Sequence, residues 1–175
     1  MKRSGKYVIN FGSLGDDVHE FEFNITDTFF AQYENSLAHR GAIDVLVTLD
    51  KKQNMLLLDF TMEGILTVQC DRCLEDIDLD ISSFNELIVK LGEERGEESE
   101  DIIVLPAKEH ELDVSQYIYE YINILVPLRN VHEEDEDGNS TCDPEAIKAI
   151  EKYRIHEEEK PADPRWEGLK GINLN

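Results

Sequence analysis

The chain has 175 residues, 41% of them hydrophobic, with 17 basic against 39 acidic side chains and a formal net charge of -22. That length suits one domain with a real core, or a domain with an appended subdomain, and no apolar run approaches the ~20 residues of a membrane-spanning helix. A polypeptide this acidic repels nucleic-acid phosphates, whose capture requires cationic side chains, and attracts basic proteins, most strongly at low salt; solubility alone explains the same charge.

Three cysteines, an odd number, argue against a disulfide framework and for a reducing, cytoplasmic setting. The basic start, Met1-Lys2-Arg3-Ser4-Gly5-Lys6, has no apolar segment after it and does not read as a secretory signal.

Taken in order, residues 7–11 form a short strand candidate closed by Gly12 and Gly15, and residues 18–25 alternate as a strand with one wet face. Asp27 to Tyr33 reads as a short helix capped by Thr26 or Asp27, with Phe29, Phe30 and Tyr33 as its buried side. Residues 43–49 place Ile43, Val45, Val47 and Leu49 on one strand face, and residues 55–68 run back as a long strand with a bulge expected near Gly64. This hairpin delivers Cys70. Ile77, Leu79 and Ile81 then alternate with Asp76, Asp78 and Asp80, and residues 84–91 make a further apolar strand.

Residues 92–101 are acidic, hold no core-forming side chain and read as a mobile loop. Residues 102–105 make a short strand stopped by Pro106. In the helix expected over 113–126, Val114, Tyr117, Ile118, Tyr121, Ile122 and Leu125 form one stripe, and Asp113 and Gln116 have capping-box spacing. The tyrosines read as core residues with hydroxyls at the rim; Glu120 lies off the stripe. After five acids at 133–137, Asp143-Pro144 starts a helix, and Asp163-Pro164-Arg165-Trp166 opens a last turn that can bury Trp166 and Leu169.

The expected fold is α+β: a curved antiparallel sheet or partly closed barrel packed by one long amphipathic helix. Residues 1–130 form the core domain; residues 131–175 hold an acidic loop and short C-terminal helices packed on or tethered to it.

Chemistry centres on Cys70-Asp71-Arg72-Cys73, where one tight turn can present two thiols to a common centre. Zinc is one reading, with His132 and Cys142 as the second pair, although these flank an acidic loop without knuckle spacing. A redox disulfide is another, but Asp71 and Glu75 raise thiol pKa values and Leu74 onward looks like a strand, not a helix N-terminus. A turn without a ligand is the third. The five histidines sit in no nucleophile motif, and there is no phosphate-binding glycine loop, so the residues read as a non-enzyme that binds or assembles.

The hairpin into Gly64…Val68-x-Cys70-x-Arg72-Cys73-Leu74-Glu75, then Asp113…Ile118-x-Glu120-x-Ile122 with Pro127, and finally Asp163-Pro164-Arg165…Leu169, resembles the YceD family from about Ile43 onward. The resemblance implies a small cytoplasmic protein needed for accumulation or processing of large-subunit ribosomal RNA, with no established catalytic reaction. Many relatives carry a further cysteine cluster before the D-P-R end, where this chain keeps only His132 and Cys142. Two modes of action follow. Acidic loops at 93–101 and 133–137 hold a basic ribosomal protein or assembly factor, or ribosomal RNA is touched directly through Lys2, Arg3, Lys6 and Arg72.

Overall fold

The computed structural model describes residues 5–34 and 36–154. Strand β1 (Val8–Asn10) follows a 3-10 turn and pairs antiparallel with β8 (Glu111–Asp113). The remaining strands form one six-stranded sheet: β2 (Val18–Ile25), β3 (Ala38–Lys51), β4 (Met55–Gln69), β5 (Asp76–Gly92), β7 (Ile102–Pro106) and β6 (Gly96–Ser99), in that spatial order. Three helices accompany them: α1 (Asp27–Phe30), α2 (Ser115–Ile124) and α3 (Pro144–Tyr153).

Strict alternation drives the long strands. Ile43, Val45, Val47 and Leu49 on β3 stand beside Leu56, Leu58, Phe60 and Met62 on β4, all buried on one face. Each such side chain contributes about 1.5–3 kcal/mol when removed from water. Helix α2 closes this face with Ile118, Tyr121 and Ile122; the Tyr121 ring meets Phe60 edge-on, its centroid 5.3 Å away. Tyr7, Phe29 and Phe30 extend the core at the α1 end.

Four expectations need correction. The sheet is mixed and open: β5 and β7 run parallel, and β2 and β6 are unjoined edges, so there is no barrel. The expected long helix is α2, of 10 residues, against strands of 14, 15 and 17; its last helical residue is Ile124, Leu125 caps it with αR dihedrals, and Pro127 follows two residues later. Its start is set by Asp113 accepting hydrogen bonds from the Ser115 amide and hydroxyl, not by a capping box to Gln116. Within the acidic 92–101 segment, backbone pairing recruits β6 to the sheet edge although none of its side chains is buried.

Two local details also differ. Residues 76–92 form one strand where two were expected, so Phe84 points outward and is 61% exposed. Register continues through Gly64 and shifts instead between Ala38 and Arg40. Gly64 is required for a different reason: its φ is +154°, and a Cβ there would stand 2.2 Å from the Ala42 carbonyl oxygen.

Candidate metal centre

Strand β4 ends at Gln69, and the chain then turns tightly at Cys70-Asp71-Arg72-Cys73. The Cys70 amide donates to the Glu75 carbonyl at 2.8 Å and the Leu74 amide donates to the Cys70 carbonyl at 3.0 Å. Closing this turn puts Leu74 at φ 63°, left-handed for a non-glycine residue and exposed. Backbone N–H groups thereby point at sulfur: the Arg72 amide lies 3.4 Å from Cys70 Sγ.

The second pair arrives on a separate hairpin. The Asp135 carboxylate accepts from the amides of Asp137 and Asn139 and from the Asn139 side chain, while Gly138 takes φ +79°. Thr141 donates to the Glu133 carbonyl at 2.6 Å, and Glu134 bridges Ser140. These contacts fold the acidic run back on itself, so residues ten apart in sequence, His132 and Cys142, become neighbours. The run at 133–137 is thus a structured turn that positions ligands.

Two latches hold this hairpin to the turn. Asp71 and Asn130 exchange hydrogen bonds, and the Arg72 guanidinium donates to Ser140 Oγ at 3.3 Å. The ligand atoms of Cys70, Cys73, His132 and Cys142 consequently all lie within 4.8 Å of one another. Cys70 Sγ is 3.8 Å from Cys142 Sγ, and Cys73 Sγ is 3.4 Å from His132 Nδ1. Cys70 and Cys142 are buried; Cys73 and His132 are half-buried. Such a group of three thiols and an imidazole can bind a metal ion.

With no ion bound, the electrostatics favour the thiolate, the ligand form, at Cys70 and the protonated ring at His132, which must lose its proton to ligate. Burial pushes the Cys70 thiol up, but the backbone N–H groups of Cys73, Arg72 and His132 outweigh it and bring the pKa down to about 6. Burial lowers the pKa of His132, and its contacts with Cys70 and Cys73 more than reverse that.

A family model described as Large ribosomal RNA subunit accumulation protein YceD matches residues 58–173, well over half of the chain. The chain belongs to the YceD family. No curated protein and no solved structure matches it. The family name ties the chain to accumulation of large-subunit ribosomal RNA. The YceD match begins at Leu58, on β4, later than the Ile43 at which the resemblance starts, and takes in the whole cysteine turn and both halves of the metal centre.

The other site candidates are dispersed relative to this centre. Glu75 takes part through its carbonyl and Leu74 through backbone geometry. Glu120 lies exposed on α2, accepting from Gln116 at 2.6 Å. Asp163, Pro164 and Arg165, like Lys2 and Arg3, lie outside the described residues. In the sequence Asp71 stands out only as a negative charge beside the thiols, and Asn130 does not stand out; an Asp inside the CxxC is the one signal that points to their pairing. No described helix is long and apolar enough to cross a membrane.

Proposed function

We propose that this YceD-family chain is a non-enzymatic accessory factor for large ribosomal subunit assembly that holds a basic ribosomal protein or assembly factor. The observation that carries the reading is a net charge of -22 on a member of a family named for ribosomal RNA accumulation. Phosphates are repelled by such a chain, whereas basic proteins are drawn to it. Arg72, the described member of the basic set suggested for RNA contact that lies at the cysteine turn, is half-buried and directed at Ser140.

Within this reading the metal centre is structural and takes zinc. Four protein ligands leave no open coordination position, the feature that separates structural from catalytic zinc. Zn–S bonds of about 2.3 Å place tetrahedral sulfurs about 3.8 Å apart and a sulfur–nitrogen pair about 3.5 Å apart; the cluster has 3.8 Å and 3.4 Å. When bound, zinc would tie the end of β4 to the 130–142 segment. The turn lies at a strand end and not at a helix N-terminus, which weighs against a thioredoxin-type disulfide.

Capture from lysate at low and high salt tests the partner. Recovery of large-subunit proteins or assembly factors that falls with salt is expected, and recovery of none contradicts the reading. Tight binding of protein-free large-subunit RNA in a gel shift would favour direct RNA contact instead. Native mass spectrometry with and without chelator tests the metal, with one zinc per chain expected.

A further inference from the structure

The face of the six-stranded sheet opposite α2 has no described element packed on it, and its side chains follow a pattern that solubility alone does not explain. Outward residues directly opposite each other include Asp44 and Glu63 on β3 and β4, and Asp59 and Glu86 on β4 and β5. Facing like charges on neighbouring strands destabilise a sheet. On β2, Glu20 extends the Asp59–Glu86 row through Thr48, and Glu22 stands opposite Leu46 at the β2 end of the row between the two pairs. None of these six carboxylates is in a described ion pair.

Between the two like-charged pairs runs a different row: Leu46, Thr61 and Phe84 stand opposite one another on β3, β4 and β5. Phe84 is 61% exposed in the middle of a 17-residue strand. Asp44, Asp59 and Glu63 stand on strands paired on both sides, so edge protection does not account for their charges, whereas β5 gains its second neighbour, β7, only from Ile88 onward. Successive outward rows are about 6.8 Å apart, so the acidic rows flank the apolar one about 14 Å from each other. An apolar side chain on Phe84 would have room for cations on both sides.

We propose that this open sheet face docks a lysine- and arginine-rich protein segment whose apolar side chain rests on Phe84 and Leu46. The proposal rests on the partner class argued above and moves its principal contact from the acidic loops to the sheet. Charge complementarity selects a cationic polypeptide over RNA, and the apolar row selects it over a simple polycation. The pairs Asp44–Glu63 and Asp59–Glu86, of which Asp44 accepts a hydrogen bond from the neutral Asn24 amide, would gain their counter-charges on docking.

The test uses the full chain and proteins stripped free of RNA from purified large ribosomal subunits. The protein retained by the wild type is identified, and its affinity is measured for three variants: Asp44→Asn with Glu63→Gln, Asp59→Asn with Glu86→Gln, and Phe84→Ser. Glu133→Gln with Glu134→Gln serves as the loop control. Each carboxylate pair variant should bind about tenfold more weakly at low salt. Phe84→Ser should lose about fivefold at low and high salt alike, and the loop control should change less than about twofold. Thermal unfolding of the carboxylate variants should be unchanged or raised, which separates lost contact from lost fold. Wild-type affinity in the face variants would overturn this surface while leaving the partner class standing. Retention of no protein by the wild type, or tight capture of bare RNA, would overturn the partner class itself.

Discussion

Asp71 and Asn130, 59 positions apart, are joined by two hydrogen bonds: the Asp71 amide donates to the Asn130 carbonyl at 2.7 Å, and the Asn130 amide donates to the Asp71 carboxylate at 2.7 Å. The pair sits one residue from Cys70 and two from His132, so it sets the distance between the two halves of the metal centre. Asp71→Ala keeps all four ligands and removes one of these bonds. Partners outside the ligand set typically govern 10–100-fold in metal affinity. Zinc affinity measured by chelator competition should therefore fall by about tenfold or more, with the sheet intact.

Gly138 takes φ +79° in the turn that brings His132 to Cys142, with nothing within 4 Å of a Cβ built there. Gly138→Ala is thus opposed by backbone conformation alone, at a cost of about 1 kcal/mol. Hydrogen exchange should quicken at 133–141 and stay unchanged in β3 and β4.

Gly64→Ala meets the opposite problem. A Cβ would stand 2.2 Å from the Ala42 carbonyl oxygen and 2.7 Å from Ile43 Cα, both backbone atoms in the paired strand. Relief requires β3 and β4 to separate. A loss of roughly 3 kcal/mol, or a fall in Tm of about 6–12 °C, is expected in thermal unfolding.

Burial pushes the Tyr121 hydroxyl up to about 12, with Asp101, Tyr117 and Glu120 adding to the effect. An unfolded tyrosine ionises near pH 10. The neutral hydroxyl therefore stabilises the fold fully below about pH 10, and that contribution is lost as pH rises from about 10 through about 12. Denaturant unfolding across this window should show declining stability in the wild type and a shallower decline in Tyr121→Phe. Tyr33 and Tyr117, also raised by burial, leave a residual slope.

Much of this molecule was readable from local pattern. Period-two alternation placed β2 at residues 18–25 and placed the β3–β4 hairpin, and Asp143 caps α3 through the amides of Glu145 and Ala146 as its Asp-Pro start implied. What local pattern could not carry was pairing. The parallel β5–β7 contact and the recruitment of β6 are backbone events that their side chains do not announce. The outward turn of Phe84 follows from the continuity of β5, which Ser82 and Ser83 obscured.

The metal centre was half legible. Cys70 and Cys73 declare themselves by spacing, whereas His132 and Cys142 were candidates only by residue type. The Asp135–Asn139 turn and the Asp71–Asn130 exchange bring the second pair in, through polar contacts with no fixed sequence signature. Asp163, Pro164 and Arg165, named at the sequence level, lie beyond the described residues.

The account turns on one claim: two remote stretches of this chain are joined by a closed site of three sulfurs and one nitrogen. X-ray absorption at the zinc edge of the purified protein measures that directly. The account predicts three sulfur scatterers at about 2.3 Å and one nitrogen at about 2.0–2.1 Å, with a sulfur lost in Cys142→Ser. A shell of oxygen and nitrogen alone, or a wild-type spectrum unchanged by Cys142→Ser, would contradict it.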